Sequence, residues 1–157
     1  MGEFKEMISI LIASEYPVVR KGLKLILDEQ SDIKVVSAIN WDRNVLKLVH
    51  HLNPDIIIMD MNTKNLRLNI IHKIQEIVKL NKEVKIIVLN MQEKVKNIIK
   101  LFIAGADGYL SSEQGIDELV MAIRTVYKGH IYLNPIEIKH LIDNYISDIK
   151  SGIIIPG

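Results

Sequence analysis

Ile56-Ile57-Ile58-Met59 is a bare run of apolar, mostly β-branched residues that ends abruptly on a carboxylate, Asp60. A short apolar run with no polar alternation suits a strand buried on both faces. Such strands belong to parallel sheets covered by helices. Open α/β sheets bind their ligands outside the carboxyl ends of the strands, which is where Asp60 falls. Taken alone, the stretch also fits a surface aspartate that merely stops a strand, so its neighbours decide.

Those neighbours alternate regularly. Ile8–Ala13 is a second bare run, broken by Ser14-Glu15-Tyr16-Pro17. Pro17 suits a helix's first turn, where its missing N–H costs nothing. Val18, Val19, Leu23, Ile26 and Leu27 then recur at helical spacing to about Glu29. Ile33–Ile39 reads as a strand, with Asn40 positioned to cap a following helix. The apolar side of that helix is Val45, Leu46, Leu48, Val49 and Leu52, with Trp41 at its start and Asn53-Pro54 ending it. Beyond Asp60 a polar loop, Asn62–Arg67, leads to a helix with Ile70, Ile71, Ile74, Ile77 and Val78 inward. Val84–Leu89 is a strand, and Lys94–Ala104 a helix with Val95, Ile98, Ile99 and Phe102 on one side. Gly105-Ala106-Asp107-Gly108 is helix-ending punctuation before a short strand at Tyr109-Leu110 and a helix over Ile116–Tyr127.

Five strand–helix alternations predict an α/β fold, a doubly wound parallel sheet with helices on both faces. Five units in about 120 residues favour the flavodoxin-like (βα)5 arrangement with strand order 2-1-3-4-5. That order makes the first and third strands neighbours, so Ser14-Glu15 and Asp60 converge on one crevice. Two carboxylates meeting there form a hard-oxygen arrangement suited to Mg²⁺.

Composition narrows the function. The chain has 157 residues, no cysteine and a formal net charge of +1, so disulfides, thiolate metal sites and a global pull toward nucleic acid are excluded. Its apolar runs fall short of a bilayer span and its first residues lack the pattern of a signal peptide, which predicts a cytoplasmic protein with no membrane partner. His50, His51, His72, His130 and His140 make no metal-ligand spacing, and His50-His51 suits the end of a helix, where imidazolium meets the macrodipole. No Ser-His-Asp set assembles by motif. The first strand–helix turn is acidic and lacks glycine, which argues against a nucleotide or flavin phosphate there. The chain thus reads as no enzyme. Lys94, Lys96 and Lys100 read as a solvated face.

With these residues in hand the chain resembles the receiver domain of bacterial two-component response regulators, more narrowly the NarL/LuxR (FixJ) subfamily. Ile8-to-Leu23 (ISILIASEYPVVRKGL), Pro54-to-Asp60 (PDIIIMD), Ala104-to-Leu110 (AGADGYL), Glu118-to-Ile123 (ELVMAI) and Gly129-to-Pro135 (GHIYLNP) carry the likeness. It implies a receiver domain over residues 8–133, followed by a linker helix and tail over 134–157. It also implies a phosphoacceptor at Asp60, fed by a histidine kinase. Mg²⁺ would be held by Glu15, Asp60 and the carbonyl of Asn62, and the switch and phosphate-contact positions would be Asn90, Tyr109 and Ser112.

The departures matter as much. A transferred phosphoryl group brings about −1.5 to −2 charges at neutral pH and needs cations around the acceptor. Ser112 stands where the family has a lysine, Ser14 where it has one of two acidic residues, and Asn90 where it has Thr or Ser. The family's loop proline is replaced by Lys64 and its turn glycine by Leu68; an exposed loop lysine such as Lys64 is ordinarily solvated. The expectation is an atypical receiver with weak Mg²⁺ binding and weak or absent aspartyl phosphorylation. The alternative is a stand-alone receiver-like interaction scaffold with no transcriptional role.

Asn134 is placed to cap a last helix with Pro135 in its first turn, and Ile138, Leu141, Ile142, Tyr145, Ile146 and Ile149 recur at steps of three and four. The five units already cover their own sheet, so this stripe predicts a homodimer assisted by the helix. In the resembled subfamily the linker leads to a helix-turn-helix domain. No basic recognition helix precedes Gly157, so DNA contact is expected only through a domain not present here.

Overall fold

The computed structural model describes residues 6–41, 44–61, 69–89, 95–111 and 114–153, the side chains of Val95 and Lys96 aside. Among them β1 (Ile8–Ala13), α1 (Pro17–Asp28), β2 (Ile33–Ile39), α2 (Asn44–Leu52), β3 (Ile56–Asp60) and α3 (Ile70–Leu80) come first. β4 (Lys85–Leu89), α4 (Val95–Ala104), β5 (Gly108–Leu110), α5 (Ile116–Tyr127) and α6 (Pro135–Lys150) follow. The strands form one parallel sheet in the order β2-β1-β3-β4-β5, the arrangement the alternation predicts.

The bare runs are explained by two cores, one on each face of the sheet. Strand residues alternate between them. Ile10, Ile12, Ile56 and Ile58 pack with Leu27 of α1 and with Leu119, Ile123 and Val126 of α5. Leu11, Ile57 and Met59 pack the opposite way, with Val45 and Val49 of α2, Ile74 and Ile77 of α3, and Ile98 and Leu101 of α4. Every residue of β3 is buried.

Local signals set the boundaries. Pro17 opens α1, Asn69 caps α3 by accepting from the His72 N–H, and Asn134 caps α6 by accepting from the Glu137 N–H at 3.0 Å. Asn53 ends α2 at φ +45°, a left-handed value that asparagine tolerates. Gly105 ends α4 at φ +127°, and a Cβ there would lie 2.6 Å from Val78 Cγ2. Glycine is therefore required at that turn by both backbone and neighbour.

The amino ends of the strands are tied by aspartates. Asp55 Oδ2 accepts from the Ser9 N–H at 2.8 Å and the Ser9 hydroxyl at 3.0 Å, while the Asp55 N–H donates to Ser9 Oγ at 2.9 Å. Asp107 Oδ2 accepts from the Ile86 N–H and Asp28 Oδ1 from the Val35 N–H, each at 2.9 Å. Burial pushes the Asp107 carboxyl up, against the pull of the Ile86 N–H and Lys85. For Asp28 burial acts upward too, but the Lys24 hydrogen bond, the Val35 N–H and the charges of Lys24 and Lys34 together bring it down.

Several details differ from the sequence expectations. Val18 follows the helical spacing yet is 83% exposed, because it lies on the flank of α1 away from Leu27. α2 begins at Asn44, so Asn40 is not its cap and Trp41 does not start it. On α4 the buried pair is Ile98 and Leu101, while Ile99 faces solvent. α6 packs against α4. Its base is joined to α5 by Tyr132, whose hydroxyl donates to Glu118 Oε2 at 2.7 Å; burial and this acceptor push the phenol up to about 12. No helix among the described residues is long and apolar enough to cross a membrane.

Candidate functional site

The site lies where β1 and β3 end side by side. Ala13 is in register with Met59, so the next residue of each strand, Ser14 and Asp60, stands at the same height at the mouth of the sheet. Both are buried, Ser14 completely and Asp60 to within 1%. Ser14 Oγ donates to Asp60 Oδ2 at 2.7 Å and accepts from the Tyr16 N–H at 3.1 Å. That second bond fixes the hydroxyl: its lone pair is held by the first turn of α1 and its proton is aimed at the carboxylate. Arg20, one turn into α1, donates from Nη1 to the Ser14 carbonyl at 2.7 Å and pins the same turn from the other side. Glu15 is next in the chain and half-buried.

A further contact reaches Asp60 from across the sheet. Trp41 lies just past β2, and its indole Nε1–H donates to the Asp60 carbonyl oxygen at 3.1 Å. The ring also packs on the core beneath α2, α3 and α4. The sequence analysis placed Trp41 only at the start of a helix and gave Arg20 no role. The available signal for Trp41 was a lone tryptophan at the carboxyl end of a strand flanking the crevice; no spacing rule marks Arg20. Tyr109 is buried in β5, its side chain in the core on the α2–α4 face and its N–H donating to the Tyr132 carbonyl at 3.1 Å. Asn62, Lys64, Asn90, Lys94 and Ser112 lie outside the described residues.

The donor set bears on a divalent cation. Mg²⁺ demands near-ideal octahedral oxygen coordination and takes it chiefly from carboxylates and water. Here one oxygen of Asp60 already accepts a hydroxyl proton, and the donor, Ser14, carries no charge. Among the described residues no group of three or more His, Cys, Asp or Glu side chains could hold a metal ion.

Residues 10–124 match the family described as the response regulator receiver domain. The response regulator GacA of Pseudomonas aeruginosa is 28% identical over 129 residues, covering 82% of this chain and 59% of its own length. The transcriptional regulatory protein DegU of Brevibacillus brevis is 30% identical over 138 residues, covering 88% and 58%. The chain thus spans less than two thirds of these relatives. A two-component response regulator of the LuxR family from Aurantimonas sp. SI85-9A1 superimposes with a TM-score of 0.80 at 22% identity, over 90% of this chain and 99% of that one, and so shares the fold. Receiver domains generally hold Mg²⁺ beside the phosphoacceptor, at the place where Ser14 and Asp60 are joined here.

Proposed function

The chain belongs to the response regulator receiver family, of the NarL/LuxR type, and from that premise we propose that it is an atypical receiver whose aspartyl phosphorylation is weak or absent. The observation that carries the reading is the 2.7 Å hydrogen bond from Ser14 to Asp60. A hydroxyl that supplies a proton stabilises the bare carboxylate directly, whereas an acidic residue in its place would repel Asp60 and call for a cation between them. The missing lysine at Ser112 points the same way, because a phosphorylated Asp60 would carry its added charge without the family's cationic partner. In this reading the chain is the signal-input part of a cytoplasmic transcriptional regulator that a histidine kinase controls weakly or not at all. DNA contact then resides in a helix-turn-helix domain outside these residues.

Output is instead set by pairing of two copies through α6. Ile138, Ile142, Tyr145 and Ile146 are exposed there, flanked by the half-buried Leu141 and Ile149, and Ile99 and Ile103 are exposed on the adjoining α4. These side chains offer on the order of 600 Å² of mostly apolar surface, which with a polar rim approaches the ~800 Å² each partner gives to a standard interface. The phosphorylation reading is tested with acetyl phosphate and Mg²⁺, followed by intact-mass measurement, with Asp60→Ala as control. We expect little or no added phosphoryl mass and no spectral response to beryllofluoride. Stoichiometric, Asp60-dependent modification overturns it.

A further inference from the structure

We propose that the junction between α5 and α6 is an acid-sensitive latch: a proton taken up by Glu137 is donated to Glu118 and fastens the base of α6 to the receiver. Glu137 stands in the first turn of α6. The Asn134 side chain accepts from its N–H at 3.0 Å, and its own carboxylate reaches back to the Asn134 N–H, a reciprocal helix cap. That contact occupies one carboxylate oxygen. The other, Oε2, is buried and has no hydrogen-bond partner, the single such side-chain atom among the described residues. A buried charged oxygen with nothing to bond is costly, whereas a protonated one needs only an acceptor.

The acceptor is Glu118 on α5. Its Oε2 takes the Tyr132 hydroxyl at 2.7 Å and the Gln114 side-chain amide at 3.0 Å, and Gln114 Oε1 in turn accepts from the Ser111 N–H at 2.8 Å. This chain of bonds runs from the end of β5 to the base of α6. The charge acting on Glu137 is that of Glu118, and the neutral phenol of Tyr132 faces both carboxylates. Lys100 of α4, Asp117 of α5, His130 ahead of α6, and Lys139 and His140 on α6 itself exert none. Burial pushes the Glu137 carboxyl up, the Asn134 N–H pulls it down and Glu118 adds to the push, with a net rise. The ionised form therefore loosens α6 at neutral pH. The hold tightens as pH falls through the folded-state value toward the ordinary carboxylate range, below which nothing more is gained. The latch needs neither phosphorylation of Asp60 nor pairing of two copies.

The test reads α6 directly. Amide hydrogen exchange of the full chain is followed from about pH 7.5 to about pH 5, each rate being corrected for its intrinsic pH dependence. Protection of the α6 amides from Ile138 onward should rise about threefold or more on acidification. Glu137→Gln copies the protonated carboxyl, with an amide N–H for Glu118 and an oxygen for the Asn134 N–H. It should hold α6 at the protected level across the whole range. Glu118→Gln should flatten the profile too, because its amide can donate to the ionised Glu137. The β3 amides are the internal control. No rise in the parent chain, or an equal rise in Glu137→Gln, overturns the proposal. A rise that vanishes on about tenfold dilution overturns it too, since it then belongs to pairing of two copies. So does an equal rise in β3, which belongs to the fold as a whole.

Discussion

Replacing Ser14 by alanine removes one oxygen from the most buried polar contact described. Two bonds go with it: the proton donated to Asp60 Oδ2 and the acceptor of the Tyr16 N–H at the start of α1. A hydrogen bond to a charged group contributes about 1.5–3 kcal/mol net. Neither residue has exposed surface through which water could take over the bond. A loss of about 2–3 kcal/mol is therefore expected, and with a urea slope of about 1–3 kcal/mol/M the unfolding midpoint should fall by roughly 1 M. Equilibrium urea unfolding followed by Trp41 fluorescence measures this directly. The attribution to Asp60 is checked by a double-mutant cycle. In an Asp60→Asn background the acceptor is a neutral amide oxygen, so the penalty for Ser14→Ala should shrink by about 1 kcal/mol. A Ser14→Ala variant within about 0.5 kcal/mol of the parent, or an equal penalty in both backgrounds, refutes the reasoning.

Other perturbations have definite signs. Burial raises the pKa of Asp107 in the folded chain, so its charged form penalises folding at neutral pH and the penalty fades as pH falls toward the ordinary carboxylate value. Asp107→Asn keeps an oxygen for the Ile86 N–H, and should raise Tm near neutrality by an amount that dwindles in a pH series run down to about 4. Asp28 has a lowered pKa, so Asp28→Asn should cost stability at neutral pH and lose that effect as the buffer is acidified through the folded-state pKa. Gly105→Ala meets both a φ of +127° and Val78 Cγ2 at 2.6 Å, and should cost at least about 1–3 kcal/mol, seen as a Tm drop of several degrees. Ile142→Glu should leave the fold intact by circular dichroism and shift the light-scattering mass to that of a monomer; a native chain that is monomeric at all concentrations counts against the α6 pairing.

Much of the fold was legible because its strands are sheltered on both faces. Ile8–Ala13 and Ile56–Asp60 stand out as apolar runs because helices cover both sides of these inner strands, whereas Ile33–Ile39, at the edge of the sheet, is only partly buried and admits Lys34 and Ser37. Chain order then fixes which strands are neighbours, and the pairing of Ser14 with Asp60 follows from topology. The errors fall on helix flanks. Val18 and Ile99 satisfy a helical spacing as well as Leu27 and Leu101 do, and only the position of the sheet tells the wet flank from the dry one. The bond from Trp41 to the Asp60 carbonyl was not legible either, because a side chain that reaches a strand not next to its own leaves no periodic trace. Nor could sequence tell that the Ser14 hydroxyl points its proton at Asp60, which depends on where α1 begins.

The aspartates at the amino ends of the strands have a mechanical consequence. Asp55 and Asp107 clasp main-chain N–H groups of the adjacent strands β1 and β4, and Asp28, at the end of α1, clasps Val35 of β2, so the sheet is clamped along the rim remote from Ser14 and Asp60. The opposite rim is tied as well, by the bonds from Ser14 and Trp41 to Asp60 and by the Ser14 and Met61 N–H groups on the carbonyls of Ile39 and Leu89. With both rims gripped, the sheet is a stiff plate, and motion is left to the elements mounted on it.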